Sequence, residues 1–116
     1  MGRKTILKTL LTSTALGTGP TATTSIEVSR FTEASIYIKI TAKSGTTPVM
    51  DADIQTSHDN TDWHKHTAIT TITDPTITYY ADVIKVTNLS KYLRLNITLT
   101  GSTPTMTTEI TMILKD

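Results

Sequence analysis

A strand, turn and strand pattern written twice is the strongest constraint on what this chain can form. Residues 36–54 read IYIKITAKSGTTPVMDADI, and residues 93–110 read LRLNITLTGSTPTMTTEI. In a β-strand successive side chains point to opposite faces. Ile36, Ile38, Ile40 and Ala42 therefore share one face, and Tyr37, Lys39 and Thr41 share the other. After the first turn Met50, Ala52 and Ile54 alternate with Asp51, Asp53 and Gln55. In the second copy Leu93, Leu95, Ile97 and Leu99 alternate with Tyr92, Arg94, Asn96 and Thr98, and Met106, Ile110, Met112 and Leu114 follow inward. This is the two-residue period of half-buried sheet. Gly45 and Gly101 suit positive φ, and Pro48 and Pro104 sit where a strand restarts without needing a ladder donor. Each copy is expected to be a β-hairpin. A one-residue slip would expose a whole apolar set, at roughly 1.5–3 kcal/mol per large side chain, so register is well specified.

Composition extends this reading to the whole chain. Threonine makes up roughly a quarter of the residues, and β-branched side chains favour strands over helices. Aromatic residues are 5% and charged residues 18% of the chain, so the wet sheet faces must be largely hydroxyl, a surface suited to lateral protein contacts. A chain of 116 residues forms one domain and buries roughly two thirds of its unfolded surface without staples. The absence of cysteine removes thiol catalysis and thiolate metal sites. A net charge of +1, with basic residues scattered singly apart from Arg3 and Lys4, lacks the density that phosphate neutralisation needs, so no nucleic-acid partner is expected. No apolar run approaches the eighteen or so residues of a membrane span, and no membrane partner is expected.

In chain order, residues 1–20 read as an N-terminal arm, or as a first strand and loop, and residues 21–116 as a β-sandwich. Lys8, Thr9, Thr12 and Ser13 interrupt the apolar run that a signal peptide would need. Ile6, Leu7, Leu10 and Leu11 also share a helical face, which makes a short helix the alternative for this segment. The run of turn residues from Ser57 to Asp62 precedes Trp63, and Asp74-Pro75 marks another turn. Tyr79, Ala81 and Val83 lie on one parity and Ile84 and Val86 on the other, predicting a bulge or corner near Asp82. About eight short antiparallel strands result. The expected fold is all-β, a single-domain sandwich of jelly-roll or immunoglobulin-like type.

The candidate chemistry is thin. His64 and His66 lie two apart on one strand face beside His58, Asp59 and Asp62; imidazoles at that spacing can share zinc, but no third ligand of fixed geometry is identifiable. Asp59-Asn60-Thr61-Asp62 lacks the spacing and terminal glutamate of a calcium loop and reads as Asx turns. Asp51 and Asp53, with Glu109 equivalent to Asp53 in the second copy, would be the pair for glycoside hydrolysis, yet nothing implies a pocket around them. No serine sits in a nucleophile elbow, and no Gly-rich loop opens a helix. The expectation is a protein that is not an enzyme and takes no metal or other cofactor. Trp63 and the tyrosines read as core cap and interface residues, with a sugar-stacking row as the alternative.

Several stretches together resemble a loose group of tailed-bacteriophage virion proteins. They are Thr41 to Pro48 with its Ser-Gly-Thr-Thr-Pro, Ile54-Gln55-Thr56-Ser57 followed by Asp59 and Trp63, Tyr92-Leu93-Arg94, and Thr100 to Pro104. The pattern spans about Leu10 to Leu114. Where the group usually has Ser-x-Asp-Gly before the tryptophan, this chain has Asn60 in place of Gly, and Asn also tolerates left-handed geometry. The resemblance implies a structural virion protein, a capsid decoration or cement subunit on the capsid surface. It implies a homotrimer contacting the major capsid protein and neighbouring copies of itself. Contacts would then involve the N-terminal segment through Arg3, Lys4, Ile6 and Leu10, and the turn region through His58, Asp59, Trp63, His64, His66 and Tyr80. A neck or tail subunit and a carbohydrate-binding host-attachment module are the alternative functions.

Overall fold

A computed structural model describes residues 5–116; Arg3 and Lys4 lie outside the described residues. The described chain is all-β. Its strands are β1 (Thr5–Leu16), β2 (Gly19–Ala22), β3 (Ile26–Glu27), β4 (Glu33–Ser57), β5 (His64–Thr73), β6 (Tyr79–Tyr80), β7 (Ile84–Thr87) and β8 (Tyr92–Lys115).

The two copies of the repeat are not hairpins. Each is one long strand, β4 or β8, bent at its glycine, and the partner of each is the other copy. The β4–β8 ladder runs antiparallel from Glu33 opposite Lys115 to Ser57 opposite Tyr92. A straight strand of 25 residues would reach roughly 80 Å, whereas the longest dimension of the molecule is 48 Å. The bend falls at the register shifts between Ser44 and Val49, where Gly45 and Thr47 have φ of 91° and 45° and their counterparts Gly101 and Thr103 have φ of 132° and 50°. Alternation and a Gly-x-Thr-Pro break are compatible with both a reversal and a corner. The choice is made by what packs across the break, which is the other copy's corner.

Bending β4 and β8 folds one eight-stranded sheet into two layers. In the first, β1 pairs with residues 106–115 of β8, these with residues 33–44 of β4, and these with β6 and β7. In the second, β2 and β3 pair with residues 92–99 of β8, these with residues 49–57 of β4, and these with β5. Counting the halves of β4 and β8 separately, and taking β2 with β3 and β6 with β7, the segment orders are 1-8-3-6 and 2-7-4-5. These are the orders of a jelly roll, so the sandwich is of that type and not immunoglobulin-like. The inward residues of both copies form its core: Ile36, Ile38, Ile40, Met50 and Ile54 meet Leu93, Leu95, Ile97, Leu99, Met106, Ile110, Met112 and Leu114, all at most 2% exposed.

The repeat also extends further than the two long strands. Gly19-Pro20-Thr21-Ala22-Thr23 answers Asp74-Pro75-Thr76-Ile77-Thr78, and Ile26-Glu27-Val28 answers Ile84-Lys85-Val86. Their positions agree: Ile26 pairs with Leu93, and Ile84 pairs with Ile36, the residue equivalent to Leu93 in the first copy. Gly19 and Asp74 both have positive φ at matching corners. The molecule is a pseudo-twofold pair of halves.

Residues 5–16 are a strand and not a helix, paired with β8 from Thr5 opposite Lys115 to Leu16 opposite Met106. Leu10, expected as a contact residue, is 2% exposed and part of the core, whereas Ile6 and Leu7 are 38% and 63% exposed. The expected irregularity near Asp82 is present: pairing with β4 moves by one residue between Lys39 opposite Tyr80 and Ile36 opposite Ile84.

Two stability differences follow from the packing. A Cβ on Gly45 would lie 2.6 Å from the Thr103 carbonyl oxygen, while one on Gly101 would lie 3.1 Å from that of Thr47. Both sites carry positive-φ strain, so Gly45→Ala is expected to cost of order 3 kcal/mol and Gly101→Ala roughly 1–2, measured by urea unfolding. Leu10→Ala should cost roughly 2–4 kcal/mol by the same measurement, as cavity formation in the core requires; a neutral result would return Leu10 to the surface.

Candidate interaction surface

The turn between the halves is closed by its own side chains. Ser57 is 1% exposed; its Oγ accepts from the backbone N–H of Asp59 and Asn60 at 3.2 and 2.8 Å and donates to Asp59 Oδ1 at 3.0 Å. Asp59 Oδ1 in turn accepts from the N–H of Thr61 and Asp62, both at 2.9 Å. Asn60 has φ of 63°, the left-handed position a glycine would otherwise take. The expected Asx turn is therefore present. One ligand atom each from His58, Asp59 and Asp62 lies within 4.8 Å of the others, and the His58 and His64 rings are 6.2 Å apart. All three side chains of that cluster are exposed, and Asp59 Oδ1 is already engaged by backbone donors.

His66 does not join His64. Its Nε2 lies 2.7 Å from the Thr87 carbonyl and its Nδ1 2.6 Å from Thr67 Oγ1, so it ties β5 to the end of β7 across the sandwich edge. Trp63 is half-buried with the Arg94 guanidinium 4.2 Å over its ring, and Arg94 Nε donates to Gln55 Oε1 at 2.9 Å. The carboxylates are likewise dispersed. Asp51 accepts from Thr71 Oγ1 at 2.6 Å, Asp53 lies 3.9 Å from Lys65, and Glu109, opposite Lys39, is in the other sheet.

The apolar exposure gathers instead on the outer face of the first sheet. Tyr80, Val83 and Tyr37 are 69%, 55% and 40% exposed and border one depression of about 380 Å³ with Lys39, Glu109 and Thr111. The Lys39 ammonium lies 5.7 Å over the Tyr80 ring. Round the edge, a cleft of about 400 Å³ opens between β5 and the β6–β7 segment, lined by Ile69, Ile72, Tyr79, Ala81 and Val83 among others. In the other half the corresponding edge is bridged by the Thr24 N–H to the Leu10 carbonyl at 3.3 Å. The sandwich thus has one closed and one open side. Of the candidate contact residues only Tyr80 belongs to this surface. His58, Asp59, Trp63 and His64 lie at the turn between the halves. Tyr37 and Val83 were missed, although a ring on the wet side of an alternating strand and a valine out of parity with Ile84 and Val86 were visible signals.

No protein-family model matches this chain, and neither curated proteins nor solved structures contain a significant match to it.

The backbone N–H groups of Asp62 and Thr61 hold the Asp59 carboxyl at a pKa of about 2, below its ordinary 3.8. Since the folded value is depressed, the turn's contribution to stability is present above pH 3.8 and is lost as pH falls through about 2. An NMR titration of the Asp59 side-chain carboxyl should show this low midpoint; an ordinary midpoint would contradict the turn geometry.

Proposed function

We propose that the protein is a structural subunit acting through protein–protein contact, and specifically a capsid decoration or cement protein of a tailed-bacteriophage virion. Its partners in this reading are the major capsid protein and neighbouring copies of itself in a homotrimer. The observation that carries the contact reading is the exposed Tyr37, Tyr80 and Val83 cluster, bordered by Lys39, Glu109 and Thr111 on the outer face of the first sheet. Tyrosine supplies large rigid area with a polar tip and is enriched in interface centres, while threonine-rich surroundings leave a rim that hydrogen-bonds without heavy desolvation. The virion assignment is supported by the sequence resemblance, through the turn before Trp63 and the two Gly-x-Thr-Pro corners.

The sugar-binding alternative needs Trp63 and two tyrosines in one open row. Trp63 instead sits under Arg94, on the second sheet, while Tyr37 and Tyr80 are on the first. The contact reading is preferred on that geometry.

The test is co-sedimentation with shells of the major capsid protein, alongside sedimentation velocity of the free protein. The wild type should bind, and Tyr80→Ala with Val83→Lys should weaken binding at least tenfold while thermal unfolding changes little, because both side chains are exposed. A wild type that is monomeric at high concentration and ignores shells would remove the cement reading; binding to neck or tail complexes alone would move it to those sites.

A further inference from the structure

Every β-ladder among the described residues joins the first half of the chain to the second. β1, β2 and β3 pair with β8, and β4 pairs with β5, β6, β7 and β8. Among the described residues no strand pairs with a strand of its own half. Within the first half the backbone bonds are isolated ones, such as Thr24 to Leu10 and Phe31 to Val28. Neither half has a sheet or a closed core by itself. The covalent tie between them is the short exposed turn of residues 58–63, between Ser57 and His64.

We infer that two copies of this chain exchange halves: the first half of one chain completes the sheets of the second half of the other, giving a dimer that contains the same jelly roll twice. All seven ladders and the core among the described residues are regenerated in the exchanged form, because each ladder already joins the two halves and contacts within a half travel with it. Only the turn differs, and it must open and run extended between the two sandwiches. Six residues extended span about 20 Å, enough to connect adjacent bodies. The bonds given up are the three part-buried ones of Ser57 and the two exposed ones that Asp59 accepts from Thr61 and Asp62. Against exchange stands the tether, which keeps the halves of one chain at an effective concentration of order mM. The closed monomeric fold should therefore dominate at micromolar concentration. The exchanged form takes over when the turn cannot close, or when copies are crowded to comparable local concentration.

Deleting residues 58–63 tests this directly. It leaves Ser57 alone between the paired Thr56 and His64, fewer than the two residues of the shortest common hairpin loop, so the chain cannot fold back and β4 must run on directly into β5 as the link between two sandwiches. The expected product is a folded dimer by light scattering, with the strand circular dichroism of the wild type and no monomer at micromolar concentration. A folded monomer would overturn the inference. Should the deletion variant fail to fold, the full chain carrying a protease site in place of Asn60 and Thr61 decides. After cutting, the halves should stay together and re-form from denaturant, and ordinary and isotope-labelled cut chains refolded together should give mixed pairs by native mass spectrometry. Halves that separate, or that do not re-form pairs, would also overturn it. The readouts are size and exchange, so the result stands apart from whether shells are bound.

Discussion

The structure depends on two bent strands crossing back to back. Gly45 lies against the carbonyls of Ser102 and Thr103, and Gly101 against those of Thr46 and Thr47. At these distances the approach is backbone on backbone, and it lets β4 and β8 turn together without breaking their ladder. Turning a paired ribbon as a unit produces two layers at once, each with one buried face, and fixes where the flanking strands run. β1 to β3 follow β8 round its corner, and β5 to β7 follow β4 round the other. The corner of each half is thus stabilised by the other half, which is the same mutual dependence seen in the ladders.

That dependence leaves the outer faces free to vary. Core positions match between the halves because the pseudo-twofold axis relates equivalent pairs: Ile54 opposite Leu95 is answered by Ile110 opposite Ile38. Outward positions do not match. Tyr37 of the first half corresponds to Arg94 of the second; Arg94 covers Trp63, while Tyr37 stands open beside Tyr80. One edge is bridged by Thr24 and Leu10, and the other is a cleft. A near-symmetric scaffold therefore carries asymmetric outer surfaces.

Much of this was legible in the residues. Alternation placed Ile36, Ile38, Ile40, Leu93, Leu95, Ile97 and Leu99 in the core, and the Asp59 turn followed from Asx chemistry. The parity change near Asp82 marked a real one-residue shift in pairing. The hairpin reading failed because strand period and a Gly-Pro break describe one strand's faces and bends, and say nothing about which strand lies alongside. Leu10 was misplaced for a related reason. Its neighbours Thr9, Thr12 and Ser13 look solvated, but pairing of Thr9 with Thr111 and Leu11 with Ile110 along β8 seats Leu10 over the core.

The sequence alone settled the fold class, the buried faces of the two long strands and the turn chemistry, because these follow from local period, side-chain branching and backbone preference within a few residues. Tertiary structure decided the pairing partners, the conversion of two apparent hairpins into an interleaved pair of halves, and the gathering of Tyr37, Tyr80 and Val83 on one face. Those depend on contacts between segments far apart in the chain, from Ser57 opposite Tyr92 to Thr5 opposite Lys115. There the free energy lies in packing and close approach across the core, as when Gly45 meets Thr103, and no property of either segment by itself encodes it.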